Sequence, residues 1–123
     1  NAAFTLATLD SIDLIEKKTR EIYNYFSGIL IHKGIEFLQA DKTEVLSKFI
    51  LLCDSQLVKN KRIAHLKKAG IECTDELFFV TPPHDQFRFK NAHLLIEQSF
   101  SIPFYSTLKD DEIEYIGQQL RTI

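Results

Sequence analysis

Phe49-Ile50-Leu51-Leu52-Cys53-Asp54-Ser55-Gln56-Leu57-Val58-Lys59-Asn60-Lys61-Arg62-Ile63-Ala64-His65-Leu66-Lys67-Lys68-Ala69-Gly70-Ile71-Glu72-Cys73-Thr74 is the stretch on which the fold reading turns. Lys48 to Cys53 is a run of large apolar and β-branched residues, the composition of a strand. Asp54 and Ser55 are N-cap residue types, and they open a predicted helix through Ala69. Val58, Ile63 and Leu66 recur at helical spacing and form its inner stripe. Gly70 then supplies the left-handed residue that ends a helix, and Ile71 supplies the apolar contact that follows it. Ile71 to Thr74 returns as a strand. The stretch therefore reads as strand, helix, strand.

Upstream, residues from about Ala3 to Leu30 read as one long helix. Phe4, Ala7, Ile12, Ile15, Ile22, Phe26, Ile29 and Leu30 recur at three- and four-residue steps. Leu6, Leu9 and Leu14 widen this stripe, so the first half is apolar on more than one side and calls for more than one packing partner. Gly34 ends the region, Ile35 to Leu38 reads as a strand, and Gln39 to Leu46 reads as a polar loop or short turn. Downstream, an apolar run from Leu77 to Val80 stops at Pro82-Pro83. His84 to Lys90 is polar and aromatic without a period. Asn91 is placed as the cap of a short helix over Ala92 to Gln98. Ser99 to Ile102 is extended, as Pro103 requires of the residue before it. Thr107 and Asp110 read as a weak capping box for a last helix with Ile113, Ile116 and Leu120 facing in. Asp110, Asp111 and Glu112 suit its positive end. The order of elements predicts an α+β domain (an α/β layer): a long N-terminal helix and a small, mostly antiparallel sheet covered by helices.

Size and composition narrow the function classes. The chain has 123 residues, 45% of them hydrophobic and 26% charged, with a formal net charge of −2. That is one ordinary globular domain. The charge argues against nucleic-acid or membrane partners. No apolar run approaches the ~20 residues of a spanning helix. No signal peptide is visible, so a cytoplasmic location is expected. Cys53 and Cys73 both sit in apolar stretches and read as buried, reduced thiols. Methionine is absent, which suggests a chain that starts inside a larger gene. Asn1 and Ala2 are set aside as a candidate tag scar.

Most site motifs are absent. The four glycines do not cluster into a phosphate loop. There is no CxxC or HExxH pattern, and His32, His65, His84 and His93 show no ligand spacing, so no metal is expected. Lys59, Lys61, Arg62, Lys67 and Lys68 make the middle helix basic. A phosphate or nucleic-acid face is the sharp reading. A solvated face whose C-terminal cations complement the helix dipole is the favoured one, and His65 belongs with it. No Ser or Cys nucleophile with a base can be assembled. His84 stands out, in a loop after two prolines and beside Asp85 and Arg88.

Three segments together resemble a known family. Ala2 to Asp13, followed by Thr19-Arg20-Glu21-Ile22-Tyr23-Asn24-Tyr25-Phe26 and Leu30, resembles the long linking helix of the DegT/DnrJ family of sugar aminotransferases. Arg62 to Ile71 is similar to that family's helix and Gly-Ile unit. Lys90-Asn91-Ala92-His93, then Ser99-Phe100-Ser101-Ile102-Pro103-Phe104-Tyr105, then Leu108 to Ile113 resembles its C-terminal signature. The resemblance covers nearly the whole chain, and the last segment is the most specific.

The resemblance implies a fold-type I enzyme that uses pyridoxal phosphate (PLP). Such an enzyme moves an amino group from glutamate to a nucleotide-linked keto sugar and works as a homodimer in surface-polysaccharide or antibiotic-sugar synthesis. On this reading residues 1–123 are a single domain, the C-terminal small domain. The large domain and the second subunit are then its missing partners, and the chain alone is inert. The family's Schiff-base lysine and phosphate ligands lie upstream. Lys48 follows a serine but opens an apolar strand and lacks the family's surrounding motif, so no catalytic or cofactor-binding residue is assigned. The family's substrate-facing loop corresponds to Phe78-Phe79-Val80-Thr81-Pro82-Pro83-His84, which places His84, with Arg88, toward substrate. His93 stands where the family has glutamate. Two other readings stay open: a free-standing, non-catalytic binding module, or part of a PLP-dependent sugar dehydratase in which the lysine is replaced.

Overall fold

A computed structural model describes residues 11–44, 46–75 and 90–123. Helix α1, Ile12–Lys33, is followed by strand β1, Phe49–Leu52, and helix α2, Gln56–Lys68. Helix α3, Lys90–Gln98, strand β2, Ser99–Ile102, and helix α4, Asp110–Leu120, complete the described order.

The helix boundaries arise from local chemistry. α1 ends at Gly34, whose φ of 67° is readily available only to glycine. The Gly34 and Ile35 amides donate back to the Ile31 and Leu30 carbonyls, which closes the last turn. Gly70, with φ 79°, does the same for α2, and the Ile71 amide donates to the Leu66 carbonyl. Ser55 is the N-cap of α2: its Oγ accepts from the Val58 amide at 3.3 Å. Several boundaries differ from the sequence expectation, among them the start of α1, which is Ile12 after the N-cap Ser11 and not about Ala3. α1 runs three residues past Leu30, because nothing before Gly34 breaks it. α3 starts at Lys90, so Asn91 lies inside it. The N-cap of α4 is Lys109, not Thr107. A lysine side chain has no acceptor, so only half a capping box forms, from the Lys109 amide to the Glu112 carboxylate at 2.8 Å.

β1 and β2 pair antiparallel, with Phe49 opposite Ile102 and Leu51 opposite Phe100. The expected strand Ile35–Leu38 is reduced to one bridge, Phe37 to Leu51, beside the bonds Leu38 N to Ile50 O and Leu52 N to Glu36 O. The expected strand Ile71–Thr74 is likewise one bridge, Thr74 to Ser101. Both bridges are antiparallel. β2 therefore lies between β1 and Thr74, and two antiparallel steps make β1 and the Thr74 segment parallel. The strand–helix–strand unit read in the sequence is thus split by a strand that arrives later in the chain.

One face of this sheet carries the core. Phe49 lies at its centre, with ring centroids 5.5 Å from Tyr23, 5.6 Å from Phe26 and Phe37, and 5.9 Å from Phe104. Ile22, Phe26 and Leu30 of α1, Leu66 of α2 and Ile116 and Leu120 of α4 close over it. The architecture is the expected α+β one: a long first helix and a small antiparallel sheet with helices packed on it. The N-terminal part of α1 is different. Ile12, Leu14 and Ile15 are 51%, 70% and 39% exposed, while the buried stripe begins at Thr19. Leu6 and Leu9, which widen the stripe in the sequence, lie outside the described residues. No described helix is long and apolar enough to cross a membrane.

Candidate functional site

The two residues placed toward substrate, His84 and Arg88, lie outside the described residues. The chain leaves the described sheet at Thr74 and Asp75. Beside that point is an open cleft of about 830 Å³, bounded by Lys48, Gly70, Glu72, Thr74, Tyr105 and the outward side of α4. Its floor is rigid. The Tyr115 hydroxyl donates to the Ala69 carbonyl at 2.8 Å, tying α4 to the end of α2. The Thr74 and Ser101 backbones exchange hydrogen bonds of 3.0 and 2.8 Å.

The charges around this cleft are exposed: Lys48, Glu72, Asp111 and Glu112 all face solvent. That suits reversible contact with a polar partner and not proton transfer in a dry pocket, where charges act through low dielectric. Two titratable groups nearby are shifted. Burial pushes the Cys73 thiol up to about 11, opposed by the charge of Lys67. The Asp110 carboxyl is held below its ordinary value by its hydrogen bond to Lys18, at 2.6 Å, and by that ammonium's charge. Cys53 and Cys73 are free and buried, as expected. Cys73 is an un-ionised thiol at neutral pH and a poor nucleophile.

The basic helix α2 divides. Lys61, Lys67 and Lys68 are solvated, as is His65, which contacts the Thr122 hydroxyl at 2.7 Å. Two cations are less exposed. Lys59 is only 6% exposed, and its ammonium donates to the Ile96 carbonyl at 3.0 Å. Arg62 donates to the Leu52 carbonyl at 3.3 Å and lies 3.5 Å from the Cys53 sulfur. Lys59 shares the i, i+4, i+7 stripe of Ile63 and Leu66, so its burial was legible in the spacing. There its flexible stem packs while its head meets the carbonyl end of α3.

A second arrangement gives physical meaning to the quoted Arg-x-Ile-Tyr pattern. The Arg20 guanidinium donates to the carbonyls of Asp41, Lys42 and Glu44 at 3.2, 3.2 and 2.6 Å. It also lies 5.9 Å from the Tyr23 ring centre. The Tyr23 hydroxyl accepts from the Ala40 amide at 2.9 Å. Two side chains one turn apart on α1 thus strap the 40–44 loop to the helix.

These features define a small α+β domain with an open cleft of mixed polar and apolar lining. The chain belongs to the DegT/DnrJ/EryC1/StrS aminotransferase family, whose model matches residues 1–121. Among solved structures it is similar to the sugar aminotransferase Spr1654 from Streptococcus pneumoniae, known in PLP and PMP forms. The PMP form has 20% identity and a TM-score of 0.76, over 95% of this chain and 33% of that one. It is also similar to Helicobacter pylori PseC, an aminotransferase of pseudoaminic acid biosynthesis, with 17% identity and a TM-score of 0.72 over 95% and 34% of the two chains. An aminotransferase from Bacillus cereus ATCC 10987 matches at 24% identity with a TM-score of 0.71, over 97% of this chain and 35% of that one. The chain therefore spans about a third of the structures it resembles. A sequence search among curated proteins finds no match.

The described residues do not fit PLP. The cofactor needs an amine to form its imine and a polar partner for its pyridine nitrogen. Lys59, the one buried lysine described, commits its ammonium to a backbone carbonyl. Every described carboxylate is exposed. No group of three or more potential metal ligands is found among the described residues.

Proposed function

We propose that this chain is the C-terminal small domain of a PLP-dependent sugar aminotransferase and does no chemistry by itself. The parent would transfer an amino group from glutamate to a nucleotide-linked keto sugar, in the cytoplasm and as a homodimer. One observation carries the reading: a chain of this family spans only about a third of its structural neighbours, and its described part offers no seat for the cofactor. In this reading residues 1–123 fold as one domain. The domain covers the active site, carries His84 and Arg88 toward the substrate, and excludes water as the site closes. The exposed Ile12, Leu14 and Ile15 would be buried against the large domain.

The test is chemical. The 123-residue protein is incubated with PLP, reduced with borohydride and digested, and its lysines are searched for a pyridoxyl adduct. No site-specific adduct is expected above that of a denatured control. A single stoichiometric adduct would overturn the reading. Mass spectrometry of the endogenous protein separates the free-standing module from the fragment: a native mass of 14.3 kDa would favour the module. If the mass is larger, the residue at the parent's Schiff-base position separates transaminase from dehydratase.

A further inference from the structure

Along the C-terminal half of α1, Asn24, Tyr25, Gly28, Ile29, His32 and Lys33 form one stripe, and Arg121 leans over it from the end of α4. Together they line an open groove of about 590 Å³, within the size range of small-molecule sites. The Tyr25 ring lies against Gly117, where a methyl would come within 2.6 Å of it, and under the Arg121 guanidinium, 5.8 Å from its centre. Three features of this exposed groove bear on what it could hold. It contains cations and no carboxylate, in a chain of net charge −2. Asn24, His32 and Arg121 are exposed, and no hydrogen bond to another described residue engages the His32 imidazole or the Arg121 guanidinium. Gly28 lies mid-helix, where glycine disfavours the helix, yet a methyl there would meet nothing within 4 Å. Packing inside the domain does not call for that glycine. A close approach from outside would.

The carbonyl ends of α1 and α4 both point this way, and alone they would repel an anion. Lys33 offsets one of them by donating to the Arg121 carbonyl at 2.6 Å. That leaves the guanidinium and the His32 imidazole for something else. A guanidinium without a carboxylate partner matches phosphate oxygens in shape and charge.

We propose that this groove binds a phosphorylated small molecule, its phosphate held by Arg121 and His32 and its body lying on the glycine floor at Gly28. The site is separate from the cleft beside Thr74 and does not depend on the transaminase reading.

The test is a titration of the protein with inorganic pyrophosphate and with ADP, monitored by calorimetry and by the backbone amide resonance of Gly28. Saturable binding at or below about 1 mM is expected, weakened about tenfold or more by Arg121→Gln and abolished by Gly28→Leu, with circular dichroism unchanged in both. Equal affinity for the two probes would assign the site to the phosphate alone. Tighter ADP binding would extend it to a nucleoside. Failure of both probes to saturate, or saturation unaltered by both substitutions, would overturn the proposal.

Discussion

Phe49 touches four other aromatic rings and is 1% exposed. Truncating it leaves a void that the rings cannot all move to fill. Phe49→Ala should cost about 3–5 kcal/mol in urea unfolding, and Phe49→Leu clearly less. Gly117 sets two effects against each other. A methyl there gains about 1 kcal/mol of helix propensity but meets the Tyr25 ring at 2.6 Å, an overpacking cost of about 1–3 kcal/mol. Gly117→Ala should therefore destabilise the wild type and stabilise a Tyr25→Ala background, as a double-mutant cycle would show. Cys73 gives a pH signature. Its folded thiol titrates near 11 instead of the ordinary 9.0. Between those values the unfolded chain has released the proton and the folded chain has not, so stability falls as pH rises from about 9 to 11. Urea midpoints across that range should fall less in Cys73→Ala. At this scale Gly34, Gly70 and Ser55 were legible in the sequence, because turn and cap geometry is local. Gly117 was not, because its reason is a ring from another helix.

Among the elements, α1 carries two separate roles. Its buried stripe from Thr19 onward holds the sheet, while its first turns present Ile12, Leu14 and Ile15 to solvent. Exposed apolar patches of this kind bind hydrophobic dyes and promote self-association. Leu14→Ser with Ile15→Ser should lower dye fluorescence and apparent mass in light scattering without lowering the urea midpoint by more than about 0.5 kcal/mol equivalent. A strictly monomeric, dye-silent parent domain would count against a missing partner. The Arg20 strap makes a different prediction. Arg20→Ala removes three hydrogen bonds to one loop, so amide exchange should accelerate at residues 40–44 while the core amides stay protected. Periodicity was enough to place α1, α2 and α4. It overcalled Ile35–Leu38 and Ile71–Thr74 as strands, since composition cannot tell how much of an extended segment finds a pairing partner.

For the whole molecule, the sequence by itself determined the α+β class, the family resemblance and the helix stops. Each of these rests on local pattern: apolar spacing, a cap, a glycine, a proline. The tertiary structure decided the rest. The insertion of β2 between β1 and the Thr74 segment depends on pairing between distant parts of the chain. So does the contact of the Lys59 ammonium with the Ile96 carbonyl at the end of α3, and so does the meeting of Tyr25 with Gly117 and Arg121. These contacts join residues far apart in the chain, and no short-range periodicity encodes which of several apolar runs will pair. The role of the lysines is of the same kind. A lysine in a sequence is a candidate for any role, and only its position in three dimensions showed that the buried one, Lys59, holds a helix end.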